Sequence, residues 1–310
     1  MRRRALLGVF ILPIASGLAA CGGDPGAEIK YVPRSSAPRG GPTGTPVPPP
    51  ELLLSSETVL QAGTYLVSVL GSVKGGSITF LDRTYPLTQG SQSMYAFIGV
   101  DADDPPGVHT ARIDFVQGTG SQGRMTVPLT VREASWTVDS VTLPARLQPL
   151  LDPGVTAREL EILAEIYRLQ TPAKLWSGAW RLPVEGVLTT RFGEQRSYNS
   201  GPITGHHSGT DLGAALGAPV TVANRGQVAM ARQLQLRGNM VIVDHGGGVL
   251  SGYAHLSSFS VAEGQVVEPG DTVGFVGSTG LSTGAHLHWE MSVGGVLVDG
   301  LRFVDGSNGF

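Results

Sequence analysis

The 310-residue chain contains a single cysteine, Cys21. It can therefore form no internal disulfide framework and no site built from several thiolates, which excludes structural zinc clusters and iron–sulfur centres. Charge is also scarce. Asp, Glu, Lys and Arg make up 15% of the residues, against roughly 25% in an average globular chain, and that excludes a coiled coil or an array of long polar helices. The net charge of −3 supplies no basic field to draw the chain toward nucleic acid. What is plentiful is glycine, 44 residues, with 21 prolines, so turns must be frequent. Hydrophobic residues at 41%, over a length of about two domains, suffice to bury cores.

With multi-thiolate sites excluded, the seven histidines are the remaining borderline metal ligands. Six of them, His206, His207, His245, His255, His286 and His288, fall between positions 206 and 288, and only His109 lies outside. The clustering assigns the chemistry to the C-terminal half.

At the N-terminus, Met1-Arg2-Arg3-Arg4 precedes an apolar run over 5–15 that is too short to span a bilayer comfortably. Residues 1–20 read as a secretory signal peptide. The segment ends Leu18-Ala19-Ala20-Cys21-Gly22, which resembles the lipobox of a bacterial lipoprotein. That resemblance implies acylation of Cys21 and cleavage just before it; the competing reading is an ordinary signal with a chance cysteine. Removing 1–20 takes away three arginines and no acid, so a basic membrane-binding patch is excluded. Acyl chains, at about 0.8 kcal/mol per buried CH₂, would hold the protein to a membrane without a transmembrane helix. The expected location is the cell envelope.

Residues 21–50, ending Pro46-Val47-Pro48-Pro49-Pro50, have too few large apolar residues for a core and read as a Pro/Gly-rich tether. Over 51–140, apolar residues alternate in short runs: Tyr65/Val67/Val69, Ile78/Phe80, Met94/Ala96/Ile98/Val100, His109/Ala111/Ile113/Phe115, Met125/Val127/Leu129/Val131 and Trp136/Val138. This spacing predicts an immunoglobulin-like β-sandwich. Its Asp101–Asp104 stretch reads as a solvated turn and not a calcium loop, because no bidentate acid follows at the required distance. His109 reads as a packed or edge residue. Over 141–175 a helical connector is expected, with Thr156-Ala157-Arg158-Glu159 as a capping box and apolar residues at helical spacing up to Leu169. From 176 to 310, Gly-rich turns again separate β runs, so the chain as a whole is mainly β.

His286-Leu287-His288 lies in a strand-like run, where a spacing of two puts both imidazoles on one face. Upstream, His207-Ser208-Gly209-Thr210-Asp211 brings a histidine and a carboxylate within reach of each other across a turn-forming glycine. Two histidines and one aspartate from these segments give three protein ligands and leave a fourth position open, as in a catalytic rather than a structural zinc site.

His207-xxx-Asp211, Tyr253-Ala254-His255-Leu256 and His286-Leu287-His288 resemble, in order and context, the zinc metallo-endopeptidases of the lysostaphin/LytM type. Arg191-Phe192-Gly193, Gly238-Asn239-Met240 and Gly277-Ser278-Thr279-Gly280 fit the same frame over about 180–305. The resemblance implies a compact, largely antiparallel β metallopeptidase domain over 176–310. It also implies one Zn²⁺ per chain held by His207, Asp211 and His288, with His255 and His286 flanking the open position as catalytic residues, and peptidoglycan cross-links or bridges as substrate. Relatives that have lost ligands serve as non-catalytic modules that bind peptidoglycan or activate an amidase; the complete set here favours catalysis. His206, as the neighbour of a ligand on a strand, is expected to face outward, and His245 to occupy a hairpin turn without a ligand role. Glu290 reads equally as a support for the site or as a solvent-facing residue. Tyr198-Asn199 is expected to line the groove.

Overall fold

The structure, a computed structural model, describes residues 29–31 and 48–309. The signal segment, Cys21 and most of the tether lie outside these residues. Among them, no helix is long and apolar enough to cross a membrane.

Two five-stranded sheets come first. One runs Ile29–Tyr31, Glu51–Leu54, Thr64–Leu70, Ser93–Gly99, Thr88–Gln89 in spatial order, and the other runs Thr58–Leu60, Gln122–Arg132, Gly107–Gln117, Val73–Phe80, Arg83–Pro86. Strict alternation puts one face of each into a shared core, with Tyr65, Val67 and Val69 from the first sheet against Ile78, Ile113 and Leu129 from the second. All six side chains are fully buried. His109 sits edge-on to Phe80 and bonds the Pro105 carbonyl. The 101–104 turn is not wholly solvated as expected: Asp104 is buried and paired with Arg83. The Trp136/Val138 run departs from the expected pattern. Val138–Val141 pairs in parallel with Gln195–Tyr198, which in turn pairs with Ile203–His206. This strand therefore extends a sheet of the C-terminal part.

The helix α1, Pro153–Tyr167, is present, but its start is not the Thr156–Glu159 box. Asp152 is the N-cap, accepting from the backbone of Gly154 and Val155, and Pro153 takes the first helical position, where a missing N–H is harmless. Thr156 lies one turn inside, and the Glu159 carboxylate is drawn away from the helix end to distant backbone donors.

An eight-stranded sheet dominates the C-terminal part. In chain order its strands are β1 Val187–Thr190, β2 Thr210–Gly213, β3 Gly226–Gln233, β4 Asn239–Asp244, β5 Val249–Leu256, β6 Val266–Val267, β7 His286–Val293 and β8 Val296–Val298. Their spatial order is β1-β2-β7-β5-β4-β3-β6, with β8 beside β7, and every pairing is antiparallel. Thus the last long strand of the sequence, β7, lies between β2 and β5.

The period of two divides the residues of this sheet between two faces. Val241 and Val243, Tyr253, Leu287, Trp289 and Met291 form the main core. Met240, Ile242, Leu250 and Ala254 point the other way and are covered by Leu163 and Tyr167 of α1. Burying a side chain such as Leu163 contributes roughly 1.5–3 kcal/mol to this packing. His286, His288 and Glu290 share this second face. An aromatic chain, Phe97 to Trp176 to Trp180 to Phe303, with ring centroids 5.1–5.6 Å apart, joins the sandwich to the main core.

Candidate metal centre

Three neighbouring strands carry the site. In the β2–β7 register, Asp211 lies directly opposite His288, and in β5–β7 Ala254 lies opposite His288, with His255 next in line. His207 precedes β2 and reaches the same point across the turn at Ser208-Gly209. Glycine is required there, because a Cβ on Gly209 would stand 2.8 Å from His288 Cε1 and 2.5 Å from the Trp289 carbonyl oxygen. His207 Nε2, Asp211 Oδ1 and His288 Nδ1 converge, at 3.0 Å between the two nitrogens and 3.1 and 2.8 Å from each nitrogen to the carboxylate. All three residues are buried, and together they form a group that can hold a metal ion.

Each imidazole is set by its other nitrogen. His207 Nδ1 is 2.9 Å from the Arg191 carbonyl, His255 Nδ1 2.8 Å from that of Thr279, and His286 Nδ1 2.9 Å from that of Gly284. A carbonyl oxygen only accepts, so these Nδ1 atoms carry the proton and each Nε2 presents a lone pair. His288 is reversed: its Nε2 donates to Glu290 Oε1 at 3.0 Å, leaving Nδ1 for the site. His286 Nε2 lies 3.7 Å from Asp211 Oδ1, and the ring of His255 is 4.8 Å from that of His286. His255 has φ +60, a left-handed backbone that an L residue adopts at a cost and that recurs at functional sites.

The electrostatics suit a cation. Burial, reinforced by the neighbouring His288 and His286, pushes His255 down to about 3, so the ring is neutral. Burial likewise lowers His207, against the pull of Asp211. At His288 burial is outweighed by the carboxylates of Asp211 and Glu290, which raise the ring to about 9. Burial opposes ionisation of Asp211, but its close contacts with the His288 and His207 rings prevail and hold its carboxyl well below the usual carboxylate range. The second carboxylate oxygen of Asp211 is occupied by Arg196 Nη2 at 3.3 Å, and Arg196 is itself held by Asp139 at 2.6 Å. Asp211 thus offers one oxygen to the centre. The donor set of two imidazole nitrogens and one carboxylate oxygen fits zinc. With bond lengths of 2.0–2.1 Å, neighbouring ligand atoms of a tetrahedron stand about 3.3 Å apart, a few tenths of an ångström wider than the spacing here.

Residues 205–300 match the family model described as Peptidase family M23. The chain carries an M23 peptidase domain. Over this part it is similar to the DD-carboxypeptidase/endopeptidase Mpg of Neisseria meningitidis serogroup B, 41% identical over 119 residues, which are 37% of this chain and 27% of that protein. It is also similar to the peptidoglycan DD-endopeptidase ShyA of Vibrio cholerae serotype O1, 35% identical over 124 residues, 39% of this chain and 29% of that protein. The chain spans less than a third of the length of these two relatives. In fold, the structure of a peptidase M23 described as putative, from Pseudomonas aeruginosa, superimposes with a TM-score of 0.58 at 24% identity, covering 79% of this chain and 94% of that one. That coverage extends beyond the M23 domain.

The remaining residues singled out in the sequence divide as follows. Glu290 is fully buried and supports His288, which excludes the solvent-facing reading. His245 lies in the β4–β5 turn, away from the metal ligands, bonded to the Arg225 carbonyl and Ser251. His206 is not exposed as expected. It packs against Trp136, bonds the Gly193 carbonyl and meets Asp103 of the sandwich at 3.0 Å. Asn199 spends its side chain on the Leu143 backbone. Arg196, Ser208 and Arg237 were missed. Arg237 pairs with Glu290 at 2.8 Å and Glu159 at 3.4 Å, and Ser208 Oγ donates to Glu290 at 2.8 Å. Only the burial implied by the surrounding β runs could have flagged such an arginine.

Proposed function

We propose that this protein is a zinc endopeptidase of bacterial peptidoglycan, exported by its N-terminal segment and held at a membrane by acylated Cys21. The observation that carries the enzymatic reading is the convergence of His207 Nε2, Asp211 Oδ1 and His288 Nδ1, with two further histidines, His255 and His286, anchored by Nδ1 on backbone carbonyls beside the same point. Support for the substrate comes from relatives named as DD-endopeptidases, and cross-links of the DD type are the bonds proposed for cleavage.

His207, Asp211 and His288 would hold the ion, and when bound it supplies Lewis acidity that polarises the scissile carbonyl and lowers the pKa of water to near neutrality. The chain's own residues do the rest. Arg196 holds Asp211 to one donor oxygen, and Glu290 holds the tautomer of His288. His255 and His286, each with Nδ1 tethered and a lone pair on Nε2, are the candidates to accept the proton of the attacking water and, once protonated, to hydrogen-bond the developing oxyanion or pass the proton to the leaving amine. The intact ligand set supports hydrolysis over a purely binding role.

The test is mass spectrometry of peptidoglycan fragments after incubation with the zinc-loaded protein, with and without chelator. New chelator-sensitive stem-peptide ends are expected, and His286→Ala should retain zinc while losing hydrolysis. Absence of cleavage on every peptidoglycan type, or full activity of His286→Ala, would overturn the assignment.

A further inference from the structure

The M23 match begins at 205, yet two side chains of α1, a helix that ends well before it, run into the floor of the metal centre. Tyr167 is fully buried in electrostatic contact with Glu290, and its hydroxyl donates to Glu290 Oε2 at 2.6 Å. The other oxygen of Glu290 accepts from His288 Nε2 at 3.0 Å, from Ser208 at 2.8 Å and from Arg237 at 2.8 Å. Tyr167 is thus the only partner of Oε2 among the described hydrogen bonds, and it sets the rotation of the carboxylate that sets His288.

The second line runs through Glu159. Its carboxylate, 3% exposed, accepts from the backbone N–H groups of Leu236 and Arg237 at 2.6 and 3.0 Å and faces the Arg237 guanidinium at 3.4 Å. The carbonyl of that same Arg237 accepts the backbone N–H of His255 at 2.8 Å. Next to it, Gly238, at φ +62, is pressed onto the backbone of Thr279, whose carbonyl holds His255 Nδ1. The strained backbone of His255 is therefore clamped between two loops, one of which is fastened to α1.

We infer that helix α1 is part of the metal centre and that Glu159 and Tyr167 are positioning residues for it, Tyr167 acting through Glu290 on His288 and Glu159 acting through the 236–237 backbone on His255. The inference rests on the metal-centre reading above. It makes the working unit larger than the M23 domain, because two supports of the site come from residues that precede the domain by some forty positions or more. Partners one bond from a metal ligand, as Glu290 is from His288, typically contribute 10–100-fold in metal affinity or activity, and Tyr167 and Glu159, one bond further out, are expected at the lower end of that range.

The two lines give separable readouts in the full chain. Tyr167→Phe removes one hydroxyl and keeps the ring, and should weaken zinc binding about tenfold, measured by competition with a chromogenic chelator, and shift the visible absorption of the cobalt-substituted protein. Glu159→Gln should lower kcat on a purified cross-linked muropeptide dimer by about tenfold or more with KM and zinc affinity little changed. Leu163→Ala, on the same helix and in the same apolar cluster, is the control for loosened packing. It should lower the unfolding temperature and leave zinc affinity, cobalt spectrum and kcat of the folded protein in place. Should Glu159→Gln fail to fold, Glu159→Asp keeps the charge and shortens the reach, and the same fall in kcat is expected of it. Wild-type affinity and spectrum in Tyr167→Phe, wild-type kcat in the Glu159 variant, or equal losses in Leu163→Ala would overturn the inference while the metal centre stands. A wild-type chain that binds neither zinc nor cobalt would overturn the metal-centre reading and the inference with it.

Discussion

Lowering the pH should destabilise this fold through one histidine that belongs to the core and not to the metal centre. His245 is completely buried, its Nδ1 is 2.8 Å from the Arg225 carbonyl, its Nε2 is 2.7 Å from Ser251 Oγ, and its ring lies 4.8 Å from that of Trp180. Burial pushes it down to about 4, with the Arg225 carbonyl offsetting part of the effect, from an ordinary value of 6.5. Between those two values the unfolded chain takes up a proton that the folded chain refuses, so stability rises with pH across the window and falls as pH drops through it. At 1.36 kcal/mol per pH unit, the stability present above pH 6.5 and lost by pH 4 is about 3 kcal/mol. Other groups also titrate in this range, so the assay is a comparison. Urea unfolding followed by tryptophan fluorescence, run from pH 7 to pH 4 on wild type and His245→Gln, should show the wild type losing about 3 kcal/mol more than the variant across that range. Parallel pH profiles would refute the claim that His245 is buried as the neutral ring.

Two further perturbations test the framework around the site. Asp152→Ala removes the side-chain cap of α1 and should cost about 1 kcal/mol in chemical denaturation; no change would mean that the helix start is held by packing alone. Gly246→Ala places a Cβ against the Ala173 carbonyl at a residue with φ +78, and steric overlap plus a left-handed backbone should together cost about 3 kcal/mol. An unchanged unfolding midpoint would show that the 171–175 segment can move aside.

The local features of this protein were legible because they are periodic. Alternation located the sandwich strands, and the spacing of two in His286-Leu287-His288 placed both rings on one face of β7. Features that depend on distant partners were not. Glu159 reads as half of a capping box from its neighbours, but its carboxylate accepts from backbone donors at 236–237, and a partner so far along the chain leaves no local pattern. His206 was expected to face outward by strand alternation, yet Asp103 and Trp136 cover it from elements whose approach only the tertiary fold determines. Arg237 carries no motif at all, and its role follows solely from meeting Glu159 and Glu290 in the buried space under α1. The departure of Val138–Val141 to the C-terminal sheet has the same origin, since a short alternating run names a strand without naming its neighbour.

The position of β7 bears on how the molecule comes into being. This strand supplies His286, His288 and Glu290, is flanked by β2 and β5, and is followed by only a short β-strand and a single helical turn. Until β7 is in place, β2 and β5 each have an unpaired edge, and the insertion of this one strand closes the sheet and brings His288 to His207 and Asp211 in the same event. A chain ending before residue 286 lacks His286 and His288, and it also presents two open strand edges of the kind that recruit other chains. Closure of this sheet and assembly of the donor set are thus one structural event, and a chain truncated before β7 lacks both.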